Sequence, residues 1–196
     1  MKRQSHYPSL KLSIVALFVF GFTVLAQVQT EAVKEFNTKV KGYLDLQKRV
    51  SSNVPPLAKA ETDPAKIAIH TKALANGIQQ ARANAKPGDI FTPQAAKEFR
   101  RIIQGELHGK AGVPSRETVK TGNPTEQEGS RSKIVLAVNR PYPAKEPLSS
   151  VPASLLQKFP ALPKELEYRF LGRHMILLDS MANLIVDYLL DVVPKT

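Results

Sequence analysis

Asp179, Asn183, Asp187 and Asp191 follow one another at steps of four residues. On a helix that spacing sets four oxygen-bearing side chains along one side. Such a row can meet a hard cation or a basic partner. The same four residues also fit the wet face of an amphipathic helix. Asp179 is then the N-cap, Asn183 and Asp187 lie opposite the apolar stripe, and Asp191 is a surface acid at the unfavourable end of the helix dipole. The solvated face is the stronger reading, and the sequence predicts no metal site there.

The remaining residue types with chemical potential are scattered. Beyond the first 26 residues the histidines are His70, His108 and His174, each in a different predicted element. None is paired at helical ligand spacing, and no H-E-x-x-H motif occurs. His70 reads as a helix-surface residue. His108 falls at the end of its helix, where an imidazolium meets the negative end of the dipole. No G-x-S-x-G elbow is present. "GELHGK" at 105–110 has the wrong spacing for a phosphate loop, with Ala111 where a magnesium-binding hydroxyl belongs. The chain has no cysteine, which excludes thiol catalysis, a disulfide scaffold and a lipidated N-terminus. The sequence names no catalytic residue, cofactor or metal ligand.

The elements that would position these residues are mostly helical in the first half. Val33, Phe36, Val40, Tyr43 and Val50 recur at three-four spacing and predict a helix over 31–53, widened by Leu44 and Leu46. Asp63-Pro64 reads as cap and first turn of a second helix to about Lys86. Its apolar side is Ile67, Thr71, Leu74, Ile78, Ala81 and Ala85. Thr92-Pro93 opens a third, with Ala96, Phe99, Ile102, Ile103 and Leu107 inward. Short breaks between the three suggest a small antiparallel bundle. Residues 109–132 carry glycines, prolines and charges without an apolar period and read as a flexible loop.

A covered strand is expected at 133–139, where both faces are apolar. Residues 141–163 contain six prolines, yet Leu148, Val151, Leu155, Leu156 and Phe159 give anchors for an ordered connection with one helical turn near 154–158. "ELEYRF" and "HMILLD" read as a hairpin, and the stretch after Asp179 as a closing helix. Leu166, Tyr168, Phe170, Ile176, Leu178, Ile185 and Leu189 are the expected core. The fold class is α+β: N-terminal amphipathic helices, then a small antiparallel sheet with a C-terminal helix.

The first 26 residues read as a secretory signal. Lys2, Arg3 and Lys11 precede an uncharged run of 15 residues, Leu12 to Ala26, closed by a Val24-Leu25-Ala26 cleavage site. As a helix the run spans roughly 22 Å, short of a ~30 Å hydrocarbon core. Cleavage after Ala26 is therefore expected, with an uncleaved N-terminal anchor as the rival. Four regions follow: the leader to 26, a helical region 27–108, the loop 109–132 and an α+β region 133–196.

The net charge is +11, and +8 without the leader. Residues 27–140 hold 19 Lys/Arg against 11 Asp/Glu, and 141–196 hold six of each, so the helical region carries the excess. Lys34, Lys41, Lys48, Arg49, Lys97, Arg100 and Arg101 are the candidate contacts with an anionic surface. Outside the cytoplasm nucleic acid is not an expected partner. Anionic lipid or an acidic envelope protein is.

The stretch "LPKELEYRFLGRHMILLDSMANLIVDYLLDVVP" resembles the C-terminal end of exported bacterial proteins of unassigned function, and "DIFTPQAAKEFRRII" is similar to the same group. The resemblance implies export and carries no activity. It also implies an acid where this chain has His174, which counts against His174 as an essential base. The sequence thus favours an exported, non-catalytic binding or scaffolding protein of the cell envelope, periplasmic or secreted. The alternatives are a small envelope enzyme without a motif and a peripheral binder of anionic membranes.

Overall fold

The computed structural model describes residues 13–123, 135–143 and 146–194, with side chains from Glu31 onward. Among the described residues five helices precede a three-stranded antiparallel sheet of order β1-β2-β3, an α+β arrangement. Helix α1 (Ser13–Ser51) is unbroken for 39 residues, about 58 Å at 1.5 Å per residue. Ala32, Phe36, Val40, Tyr43 and Gln47 are its buried stripe. Lys48 and Arg49 in its last turn suit the negative end of the dipole. No helix among the described residues is long and apolar enough to cross a membrane.

Helix α2 (Pro64–Ala81) starts as its sequence predicts, with the Asp63 carboxylate accepting the Ala65 N–H at 2.9 Å. It stops five residues short of Lys86. Arg82 leaves the helical conformation and reaches inward, its guanidinium 5.0 Å from the centre of the Tyr43 ring. Leu74, Ala75 and Ile78 are buried, whereas Ile67 and Ala81 of the expected stripe are exposed. Gly77 faces Val50 so closely that a Cβ would lie 2.4 Å from Val50 Cγ1. The absent side chain sets the approach of α2 to α1.

Helix α3 (Pro93–Leu107) buries Ala95, Phe99, Ile102, Ile103 and Leu107. Thr92 Oγ1 accepts the Ala95 N–H and donates to Glu35 of α1 at 2.8 Å. Helices α2 and α3 both pack on α1. Phe36, Phe91, Phe99, Phe159 and Tyr168 meet around α1 and α3 with ring centres 4.9–6.3 Å apart.

The expected loop 109–132 contains a helix instead, α4 (Val113–Lys120). Only Val119 of α4 is buried, so an apolar period was absent from the sequence. Arg116 Nη1 donates to the carbonyls of Leu107 and Gly109, tying α4 to the end of α3. Residues 124–132 lie outside the described part. The proline-rich connection is placed where described and includes α5 (Ala153–Lys158), with Leu155 and Phe159 as buried anchors. Leu148 and Leu156 are exposed, unlike the expectation.

Strands β1 (Leu166–Leu171) and β2 (His174–Asp179) form the predicted hairpin, in which Gly172 at φ 58° supplies the left-handed turn residue. The closing helix is not formed. Its residues make strand β3 (Leu184–Leu189), paired antiparallel with β2. Both faces of β3 are covered, so its apolar run does not alternate and fits a helical period equally well. One sheet face (Leu166, Tyr168, Phe170, Met175, Leu177, Leu189) meets the helices. The other (Leu171, Ile176, Leu178, Ile185) meets Leu136 and Tyr142. All seven expected core residues are buried.

The predicted strand 133–139 also differs. Residues 133–134 lie outside the described part, and 135–139 form no strand. The next few residues run along the outer edge of β3. There Asn139 N–H donates to Ile185 O at 2.8 Å, Ile185 N–H to Arg140 O at 2.9 Å, and Tyr142 N–H to Asn183 O at 3.0 Å. At the opposite edge Ser149 Oγ accepts the Phe170 N–H of β1. Neither edge is left bare along its whole length.

Candidate functional site

The four-step row of polar residues does not exist as a face. Asp179 and Asp187 are 0 % exposed, on β2 and β3, and Asn183 is a turn residue at φ 52°. Asp191 alone is exposed, 3.0 Å from Arg173 Nη1.

Asp179 ends β2 and turns the chain. Its Oδ1 accepts the N–H groups of Met181 and Ala182, both at 2.8 Å. This is the bonding an N-cap makes, used here for a β-turn. Its Oδ2 accepts Tyr43 O–H and Gln47 Nε2–H from α1, both at 2.6 Å. Burial, and then the Asp179 charge, push the Tyr43 phenol far above its usual range. Arg82 over the same ring opposes that shift, and its own pKa is lowered, chiefly by burial.

Asp187 joins β3 to the loop before α3. Oδ1 accepts Gly88 N–H at 3.0 Å and Tyr188 N–H at 2.8 Å; Oδ2 accepts Ile90 and Phe91 N–H, both at 2.8 Å. A carboxylate offers about four lone-pair directions, and each of these two acids has four donors. Neither has an acceptor position left for a substrate proton or a cation.

The histidines do not converge. His70 Nδ1 lies 2.9 Å from Pro55 O, which only accepts, so the ring donates there. His108 follows the last turn of α3 and is exposed. His174 Nδ1 accepts the Asp191 N–H at 3.0 Å. Among the described residues no group of three or more His, Asp and Glu is placed to hold a metal ion. Residues 105–110 form the end of α3 and the turn after it.

The expected basic contacts separate into two groups. Lys34, Lys41 and Lys48 stand seven residues apart on α1, on the side opposite Phe36, Val40, Tyr43 and Gln47, with Arg49 flanking. Lys34 and Lys41 have side chains 73 % and 75 % exposed. Lys34 lies 3.7 Å from Glu31, and Lys41 is 2.6 Å from Asp45, whose carboxyl is held below its usual range chiefly by that bond. Lys39, absent from the sequence-based set, is exposed on the same helix.

On α3 the picture differs. Lys97 is exposed, but Arg100 Nη1 donates to Leu190 O at 2.8 Å, and Arg101 is forked onto Glu98 at 2.6 and 2.9 Å. Arg100 thus reaches across to the end of β3, while Arg101 pairs at the surface of its own helix. Glu106, which the sequence did not single out, joins three helices by accepting from Ser115, Ser154 and Lys158. The Lys158 bond is the main cause that brings its carboxyl down to about 2.

Several clefts among the described residues have polar groups in their walls. One of about 520 Å³ lies between the end of α1, α2 and the β2–β3 turn, with Lys48, His70, Glu165 and Met181 at its wall. Another of about 560 Å³ separates the end of α3 from residues 191–194. Comparison with protein-family models, curated proteins and solved structures finds no match.

Proposed function

We propose that this chain is an exported, non-catalytic binding protein of the cell envelope, with the outward side of α1 as its working face. The observation that carries the reading is the line of Lys34, Lys41 and Lys48, about 10 Å apart along the helix axis at 1.5 Å per residue. Arg49 flanks it, whereas Lys39, two residues before Lys41, lies on another side of the helix. Two points give further support. Asp179, Asp187 and His174 Nδ1 are engaged within the fold, which leaves surface recognition rather than acid–base chemistry. The resemblance of two stretches to exported bacterial proteins agrees with an envelope location.

The magnitude argues against lipid as the sole partner. Four cations on this face, Lys34, Lys41, Lys48 and Arg49, stand with two acids, Glu31 and Asp45, a net of +2. At about 1 kcal/mol per net cation near an acidic membrane, that is about 2 kcal/mol, a partition of roughly 30-fold. An acidic protein surface, which can pair these side chains individually, fits better. The apolar stretch before Ala26 continues directly into this helix, so a retained leader would set the basic face next to the membrane.

The test combines two measurements. Intact mass of the exported protein should give a chain starting at Gln27. Photo-crosslinking from position 37, exposed between Lys34 and Lys41 on the same side, should yield one protein partner in the native envelope, and Lys34→Glu/Lys41→Glu/Lys48→Glu should abolish the crosslink. Co-sedimentation with anionic vesicles should be weak and should vanish at high salt, where the Debye length falls to about 3 Å. A chain with no crosslink and no vesicle binding would reduce the charge to a solubility device and overturn the reading.

A further inference from the structure

Residues 190–194 form a strap that leaves β3 and folds back over the β1–β2 turn. Arg100 of α3 donates to Leu190 O, and the bonds that follow converge on Arg173 of the turn and His174, the first residue of β2. Val192 and Val193 N–H donate to Arg173 O at 2.9 and 3.1 Å. Arg173 Nε donates to Val193 O at 2.9 Å, and its Nη1 meets the Asp191 carboxylate at 3.0 Å. Asp191 N–H donates to His174 Nδ1 at 3.0 Å. Beneath the strap Val192 is buried in the main core.

The bond at His174 fixes the state of the ring. A backbone amide can only donate, so Nδ1 must be bare and the hydrogen of the neutral imidazole sits on Nε2. Asp191 holds φ 50°, a left-handed conformation that costs a residue with a side chain some strain. That conformation is compatible with the amide reaching His174, and it has less to sustain it once the acceptor is gone. We propose that His174 is a proton-operated latch: protonation of Nδ1 removes the acceptor for Asp191 and releases the strap 190–194 from the β1–β2 turn.

The surroundings set the sign. Burial of the ring is the largest influence and favours its neutral form; Arg173 acts the same way, and the Asp191 carboxylate acts against them, so that the pKa lies below the ordinary 6.5. His108 and Arg100 of α3 flank the strap on its other side, and Tyr188 of β3 shares the sheet face of His174. A base that is more readily protonated when released binds its proton preferentially in the open form. The closed strap is therefore fully favoured above pH 6.5 and loses ground as pH falls below it. Each unit below that point favours opening by up to about tenfold, until the closed form itself takes the proton.

The test is amide hydrogen exchange on the full chain between about pH 5 and 7.5, corrected for intrinsic rates. Protection at Asp191, Val192 and Val193 should fall by up to about tenfold per unit below pH 6.5, while Ile176 and Leu178 of β2 keep theirs. His174→Asn places an amide oxygen near the Nδ1 position without a titrating group, and its strap protection should be flat with pH. Nitrogen-15 shifts of the native His174 ring at neutral pH should show Nδ1 bare, a measurement that needs no variant. Strap protection independent of pH in the native chain would overturn the latch. So would the same pH dependence in His174→Asn, a proton on Nδ1 at neutral pH, or a His174 titration above 6.5 in which Asp191 captures the imidazolium.

Discussion

Asp187→Asn separates a surface helix acid from a buried strand acid. Four backbone N–H groups point at the Asp187 carboxylate, two at each oxygen, and the residue has no exposed surface. Asparagine has nearly the same shape but one acceptor oxygen. Whichever way its amide is turned, two of the four N–H groups lose their acceptor and face an NH₂ donor. An unsatisfied buried donor costs about 1–3 kcal/mol, so the change should cost about 2–6 kcal/mol. That is a large part of the 5–15 kcal/mol that holds a typical domain folded. An acid on a solvated helix face would lose under about 0.5 kcal/mol. Asp191→Asn is the internal control, since its exposed pair with Arg173 is worth about 1 kcal/mol at most. The assay is equilibrium denaturation in urea, where Asp187→Asn should lower the midpoint at an unchanged slope. A loss under about 1 kcal/mol would refute the burial argument and return Asp187 to the surface.

Two more predictions concern the contacts of α1. Tyr43→Phe removes one of four donors to Asp179, a hydrogen bond to a charged group, and should cost about 1.5–3 kcal/mol in the same assay. Because the Tyr43 phenol is raised in the folded state, its contribution is intact below its ordinary value of 10.0 and is lost as pH rises beyond it. Alkaline unfolding followed by tyrosinate absorbance should therefore move to higher pH in Tyr43→Phe, relative to a variant of equal stability at neutral pH. Gly77→Ala gains about 1 kcal/mol of helix propensity but drives a methyl to 2.4 Å from Val50 Cγ1, an overpacking of about 1–3 kcal/mol. The net is a loss of about 1 kcal/mol, reversed in a Val50→Ala background; equal effects in both backgrounds would deny the close approach.

What the sequence made legible was what rests on local chemistry. Asp63-Pro64 and Thr92-Pro93 start helices because a short oxygen-bearing side chain followed by proline has one economical conformation, and both caps form. The β1–β2 hairpin followed from alternation around Gly172. The errors share a different cause: tertiary partners that a linear reading cannot supply. Asp179 offers the same two backbone bonds whether it opens a helix or closes a β-turn. The decision rests with Tyr43 and Gln47, more than 130 positions earlier in the chain, which bind its second oxygen. Asp187 looks like a wet-face acid because its four donors are backbone amides, and backbone amides leave no mark in a sequence. Arg82 and Arg100 likewise count as surface charge until Tyr43 and the Leu190 carbonyl are seen beside them. Helix α4 was missed for the complementary reason, since a segment with one buried side chain has no period to show. On the line of Lys34, Lys41 and Lys48 the charge is legible by spacing alone, because an exposed helix face needs no partner to take its place. An acidic partner would meet that face as Tyr43 and Gln47 meet Asp179, from a place the linear order does not mark, and photo-crosslinking captures that contact directly.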